Sequence, residues 1–338
     1  MEMEITDTIQ DINEKEWDTL VGANWIERSH KWYRTIEDSG MRKMHYVFLR
    51  ENGTLTAATC CYLFKERIYS IEMPLLEVKS PLGTSLAFFS KTPEQAHMLV
   101  EGLEEICKKE KAKGFLILDL RKKEVITIKE QVKGFAEFQQ KDNTYIDLDF
   151  ADFEDYLNSL DEESWRSARM TLNRAKRWKI KTVFTNEFST WKSVAKRLQK
   201  YVCEYHNDYR MFMTEHFYSA LEKNVKENTE LIMFFKDDIP LASALVMNMP
   251  NISIYKGTGA DPDYRKYQAY FLFYYEGIKK ALERGQKRIY YGTTTYEFKE
   301  KIGCKREELF GLAKMANPVL HLGLKSFITV SKLWDNRF

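Results

Sequence analysis

The sequence predicts an α/β (α+β) chain of two similar modules in tandem. Three observations carry this reading. The chain has 338 residues, 44% hydrophobic and 14% aromatic, which is about two domains' worth of length and enough apolar material for real cores. A block reading hairpin, strand, helix, strand occurs twice. The glycines that punctuate each block recur at one offset: Gly114 and Gly285 are 171 residues apart, Gly134 and Gly303 are 169 apart.

In chain order, Asn13–Glu37 reads as helical. His45 to Thr59 reads as strand, turn, strand, with Asn52-Gly53 as a tight hairpin turn. Pro93–Lys113 reads as a helix stopped by Gly114, and Phe115–Leu120 as the buried strand after it. The junction falls near Tyr145–Phe153 without a Gly/Ser linker. Phe150–Trp178 opens the second module, where Trp165, Ala168, Leu172 and Ala175 form an apolar stripe at helical spacing. Arg166, Arg169, Lys176 and Arg177 lie opposite, as either a solvated face or a phosphate cradle. Thr190–Asn224 is a helical block interrupted near 206–210. Leu231–Val246 repeats the hairpin around Asp237-Asp238, Tyr270–Arg284 repeats the helix stopped by Gly285, and Arg288–Gly292 repeats the strand. After Asn317-Pro318, the tail Val319–Trp334 reads as an amphipathic helix with Leu320, Leu324, Phe327 and Ile328 on one face. It is expected to dock on its own domain, with membrane contact as the alternative. The expected boundaries are 1–147, 148–316 and 317–338.

Composition excludes several classes. Lys+Arg at 52 against Asp+Glu at 50 is too balanced for a dedicated DNA-binding protein. No apolar run approaches a membrane span and the acidic start has no secretory h-region, so a cytoplasmic protein without a transmembrane segment is expected. Five cysteines without CxxC and six histidines without HExxH predict reduced core thiols and no metal site. GxSxG, GxxxxGK[ST] and GxGxxG are all absent.

The blocks together resemble the tandem GNAT acyltransferases, more narrowly their FemAB-like branch with the BioF2-like acetyltransferases. The resemblance is carried by the Arg-rich helix Trp165–Trp178, by Leu241–Ala244, by Tyr255–Pro262, by Ala281–Gly285, and by Tyr290–Gly303. Ser80-Pro81-Leu82-Gly83 looks like the family's Pro/Gly loop in the first module. It implies two GNAT-like modules, each a mixed, mostly antiparallel sheet flanked by helices, with the cleft between them. The first would shape the acceptor side and the second would hold the acyl donor. The implied activity is transfer of an acyl or aminoacyl group from a thioester, acyl-CoA or acyl-carrier protein, to a small-molecule amine in a biosynthetic pathway. No tightly bound cofactor is implied. An aminoacyl-tRNA-dependent ligase and a catalytically degenerate binding protein are the alternatives.

The resemblance also nominates residues. The donor slot would lie between the Ile252–Gly257 and Arg288–Gly292 strands, with Tyr255, Gly257, Gly259 and Thr293 beside it. The pyrophosphate loop of CoA-binding relatives falls on Arg265, Lys266, Gln268 and Tyr270. Its first Arg is kept, and both of its glycines are replaced by bulkier residues, which makes close backbone approach harder. Lys299 occupies the family's recurrent Tyr/Phe–Lys position and would stabilise an oxyanion or the donor, the alternative being a solvated lysine in a charged loop. Tyr291 and Tyr296 are candidate general acids and His206 a candidate base. Arg166, Arg210, Ser80 and Gly83 are candidate acceptor contacts.

Overall fold

A computed structural model describes residues 1–22, 25–68 and 71–335. The expected helical block 13–37 therefore crosses two positions, 23 and 24, outside the described residues, as do the last three of the tail. The chain divides into two compact units: residues 1–37, 42–141 and 308–338 form one, and 38–41 with 142–307 form the other.

In the first unit the elements run β1 (Glu2–Thr6), α1 (Glu14–Val21), α2 (His30–Asp38), β2 (Met44–Glu51), β3 (Thr54–Ile68), β4 (Ile71–Val78), β5 (Phe88–Phe89), α3 (Pro93–Lys109), β6 (Gly114–Leu120), α4 (Lys122–Gln131) and β7 (Ala136–Gln139). The second unit takes β8 (Asn143–Asp147), α5 (Phe153–Asn158), α6 (Glu162–Arg177), β9 (Ile180–Thr185), α7 (Phe188–His206), α8 (Glu215–Asn224), β10 (Thr229–Lys236), β11 (Ile239–Asn248), β12 (Ile252–Ala260), α9 (Ala269–Glu283), β13 (Arg288–Gly292), α10 (Tyr296–Lys301) and β14 (Lys305–Glu307). β15 (Phe310–Met315) and α11 (Pro318–Asp335) return to the first unit.

Each unit is built on a mixed sheet. The first has the order β1-β2-β3-β4-β6-β15-β7 with β5 on β3, and the second β14-β8-β13-β12-β11-β10-β9. All neighbours are antiparallel except one pair per sheet, β4 with β6 and β12 with β13. Those two pairs are joined through α3 and α9, as a parallel connection requires a crossover. The hairpin turns form as the sequence predicts: Asn52 and Gly53 both take positive φ (51° and 79°), and Asp237 does so at 53°.

Thr92 caps α3 through the Gln95 amide and Pro93 opens its first turn, so its start is fixed by sequence. Its inner face buries Ala96, Leu99, Val100, Leu103 and Ile106 on the first sheet. Leu272, Phe273, Tyr275 and Ile278 of α9 do the same on the second.

Three local expectations are corrected. Gly285 ends α9 with φ +70°, but Gly114 does not end α3: Lys111 takes the positive φ (55°), and Gly114 is the first residue of β6. Its lack of a side chain serves β15, whose Lys314 and Met315 backbone lies where a Cβ would stand. Trp165 is exposed, because the buried stripe of α6 is Ser164 and Ala168, with Leu172 and Ala175 half-buried. In α11, Leu324 and Ile328 are half-buried, whereas Leu320 and Phe327 face solvent.

The boundary at 147/148 differs from the structure for a topological reason. In each unit the strand after the crossover leads through a short helix to an edge strand, and a further strand is inserted between them. In the first sheet the inserted strand between β6 and β7 is β15, from the far end of the chain. In the second, the one between β13 and β14 is β8, from the chain's middle. Residues 143–147 thus complete the second sheet and 310–315 the first, the reverse of sequence order.

Candidate active site

In the second unit the parallel ladder is short. Ile252 pairs with Arg288, Ser253 with Ile289 and Ile254 with Tyr290, and there it stops, although β12 continues to Ala260 and β13 to Gly292. The two strands diverge at Tyr255 and Tyr291, leaving backbone groups that neither strand supplies to the other.

Lys299 sits at this divergence. Thr295, at φ +57°, turns the chain into α10, and the one-turn rise to Lys299 carries its side chain back under the end of β13. Its Nζ donates to the carbonyls of Tyr291 (2.8 Å) and Gly292 (3.1 Å). The residue is only 1% exposed, so it is not a solvated lysine in a charged loop. Burial lowers its pKa to about 8. Two of the three ammonium protons are thus used on strand carbonyls; among the described residues no third acceptor lies within hydrogen-bond distance. In the first unit the corresponding place, four residues past the cap of α4, holds the buried Val125.

The other nominated residues separate around this point. Tyr291 is buried, hydrogen-bonded to the Tyr274 carbonyl at 3.3 Å, and burial pushes its pKa well above the ordinary phenol range. Tyr255 faces it at 5.2 Å between ring centroids and ends against Gly277 of α9, so it is core rather than slot. Tyr296 donates to the Asp142 carbonyl at 2.8 Å with the Arg306 guanidinium over its ring. Both tyrosine protons therefore already have acceptors. Thr293 is half-buried in the link from β13 to α10. His206 is the exposed last residue of α7, its ring edge-on to Tyr205, and no described hydrogen bond ties it to Lys299.

Gly257 and Gly259 do permit a close approach, but by the unit's own chain. A Cβ at Gly259 would overlap the backbone of Leu198 and Gln199 in α7, and one at Gly257 would meet the Met213 side chain at 2.7 Å. These glycines let α7 and the segment before α8 lie directly on β12.

The loop entering α9 keeps its shape without glycine. Gln268 takes the left-handed conformation at φ +53° and opens the helix, its carbonyl accepting from the Phe271 amide at 3.0 Å. Its side-chain carbonyl accepts from Arg174 of α6 at 2.7 Å. Arg265 and Lys266 are exposed, over the rings of Tyr205 and Tyr267 respectively, and Tyr270 packs edge-on to Phe273. Arg174 is the residue the sequence reading passed over. It lies two positions from Leu172 on α6, on a flank that spacing counts as neither apolar nor solvated. A groove runs from it along α6, lined by Trp165, Arg169, Met170, Asn173 and Arg177. Arg169 is paired with Glu154, and Arg166 with Glu162 one turn away.

The other three acceptor nominations lie elsewhere. Ser80 and Gly83 form a buried turn around Glu27: Ser80 Oγ donates to the Glu27 carbonyl at 2.5 Å, and the Thr84 amide to its carboxylate at 2.9 Å. That turn is internal structure of the first unit rather than an open wall. Arg210 is held to Asp208, whose carboxyl it lowers to about 2. The first unit does contain a polar device at its own diverging pair. Lys79, just past β4, meets Asp119 of β6 at 2.7 Å, Asp119 standing at φ +60°. Burial alone would lower the Lys79 pKa, yet Asp119 beside it holds it above its ordinary value.

A family model described as FemAB-like, peptidoglycan biosynthesis/recognition, matches residues 80–333. The chain belongs to the FemAB-like family. Solved structures agree with this FemAB-like protein at the level of fold. FemX aligns with TM-score 0.62 at 15% identity, over 96% of this chain and 100% of its own. A tandem GNAT protein from the clavulanic acid biosynthesis pathway aligns with 0.57 at 10%, over 94% and 99%. The C-terminal domain of a lysylphosphatidylglycerol synthetase from Agrobacterium fabrum aligns with 0.57 at 14%, over 92% and 94%. No curated relative matches the sequence. Family and fold support an acyl- or aminoacyltransferase in general terms.

Proposed function

We propose that this protein is an N-acyltransferase whose second unit receives an extended thioester donor, acyl-CoA or acyl-carrier protein, along the divergent edges of β12 and β13. The acceptor is proposed to be the amine of a biosynthetic substrate. The observation that carries this is the buried ammonium of Lys299 at the end of the parallel ladder, with two protons on strand carbonyls. In the reaction a neutral amine attacks the donor carbonyl, a C–N bond forms, and the remaining proton of Lys299 faces the developing oxyanion. Collapse breaks the C–S bond, the electron pair leaves on sulfur, and the amine's proton passes through water to the thiolate. A fixed cation in a dry site is worth far more to that oxyanion than one in water.

A second reading has its own observation. The Arg-lined groove of α6 reaches the opening of α9 through the Arg174–Gln268 bond, which suits a polyanion longer than one pyrophosphate. In that case the donor is an aminoacyl-tRNA and the leaving group a ribose oxygen. Calorimetric titration with coenzyme A, acetyl-CoA and bulk charged tRNA separates the two. Micromolar coenzyme A binding supports the thioester reading, and binding of charged tRNA alone supports the second. Binding of neither leaves a degenerate binding protein. Once a donor is found, Lys299→Met is expected to lower turnover by roughly 100-fold or more in protein whose circular dichroism spectrum shows it folded at the assay temperature; unchanged turnover removes Lys299 from the mechanism.

A further inference from the structure

In the first unit the parallel ladder ends at Val78 with Ile117. Beyond that end lie the 80–84 turn and the start of α4, the kind of place where open α/β sheets take ligands. Arg121, which precedes α4, donates from Nη1 to the carbonyls of Thr84 (2.7 Å) and Asp119 (3.2 Å). Its guanidinium carbon lies 5.7 Å from the centre of the Trp25 ring. A second arginine shares that ring. Arg28, at the end of the short helical turn Ile26–Arg28, stands 5.6 Å from Trp25 and 5.8 Å from Phe89. Arg28 is half-buried, its Nε is closed off from solvent, and among the described residues nothing accepts a hydrogen bond from its guanidinium. Two carboxylates are near, and each is committed to an amide: Glu27 accepts from Thr84 at 2.9 Å and Glu124 from Arg121 at 2.7 Å. Neither forms an ion pair with Arg28. Burial pushes the Arg28 pKa down, Glu124 opposes this, and the like charge of Arg121 adds to it.

A guanidinium carries five donors in a fixed fork and does not shed its charge in a protein. Half-burying it without an acceptor costs stability that the fold itself does not recover. We propose that Arg28, with Arg121 beside it, forms a binding site in the first unit for the carboxylate of a small organic ligand. A carboxylate matches the fork with two parallel hydrogen bonds. The half-buried rings of Trp25 and Phe89 offer the carbon body of the ligand an apolar seat. Glu27 and Glu124 select against a dianionic phosphate, whose second charge they repel. The proposal goes beyond the transferase reading and does not depend on it, since the site lies wholly within the first unit and binding there requires no reaction.

The test is calorimetric titration of the full chain with benzoate, hippurate and N-acetylalanine, against benzamide and inorganic phosphate. At least one of the three carboxylates is expected to bind saturably at millimolar concentration or below and to change tryptophan fluorescence, and benzamide is expected not to bind. Arg28→Gln is expected to weaken that binding at least about tenfold through the loss of charge-assisted hydrogen bonds. Because Arg28 has no partner to lose, this variant is expected to keep the wild-type circular dichroism spectrum and a thermal midpoint no lower than that of wild type. Absence of binding by all three carboxylates overturns the proposal. So does equal binding by wild type and Arg28→Gln, which puts the ligand elsewhere, and so does binding of phosphate in place of the carboxylates. The Arg28 Nε–H resonance of the wild-type protein answers the same question without a variant: it is expected to move as the carboxylate is added, and a resonance that stays put overturns the site.

Discussion

Lys299 shows how one side chain is remade by its surroundings. Its neighbours Glu297, Glu300 and Lys301 are all exposed, while a single helical turn places Lys299 under the end of β13. Its ammonium donates to the Tyr291 carbonyl and shares that of Gly292 with the Thr144 hydroxyl, and burial lowers its pKa from 10.5 to about 8. The unfolded chain therefore binds one more proton than the folded chain between those values. Folding stability attributable to this group rises with pH from about 8 to 10.5, by about 3 kcal/mol in all, and is flat below pH 8. Urea unfolding of wild type and Lys299→Met across that range is expected to show the rise only in the wild type. Equal slopes would place the ammonium in water.

At the scale of elements, the two diverging pairs were solved differently by the same topology. In the second unit the strands part around Tyr255, Tyr291 and Lys299; in the first they are bridged by Lys79 and Asp119. A buried ion pair with one partner deleted leaves a buried charge unpaired. Asp119→Leu is expected to cost about 3 kcal/mol in chemical denaturation, and Lys79→Met with Asp119→Leu to recover most of that loss. A double variant as unstable as the single one would mean that Asp119 acts through its backbone turn instead. The hairpins, α9 and the core strands were readable from sequence because local chemistry decides them: Asn52-Gly53 accepts two positive φ values and Gly285 one. The donor loop was half readable. Missing glycines predicted a harder backbone approach to pyrophosphate; they did not predict that Gln268 itself takes the left-handed conformation. The roles of Gly257 and Gly259 were unreadable, since only the path of α7 shows which chain segment needs the space. The pairing of Arg174 with Gln268 spans 94 residues and leaves no local signal.

At the scale of the whole chain, the repeat was legible and the assignment of two strands was not. β8 and β15 carry ordinary strand sequence, and nothing in either says which sheet it completes. The structure exchanges them, so a cut at 147/148 removes an interior strand from both sheets. Fragments 1–147 and 148–338, made separately, are expected to lack cooperative thermal transitions. Mixed together they are expected to regain one, with a circular dichroism spectrum close to that of the intact chain. A cooperative transition in either fragment alone would show that its sheet tolerates the missing strand. The same exchange orders events during synthesis. When residue 141 has left the ribosome, the amino-terminal sheet still has a gap between β6 and β7, and its filler is the strand ending at Met315. The nascent first unit must wait, with an open strand edge, while more than half of the chain is translated. Such an edge invites aggregation and chaperone binding, so the tail of the message times the folding of its beginning.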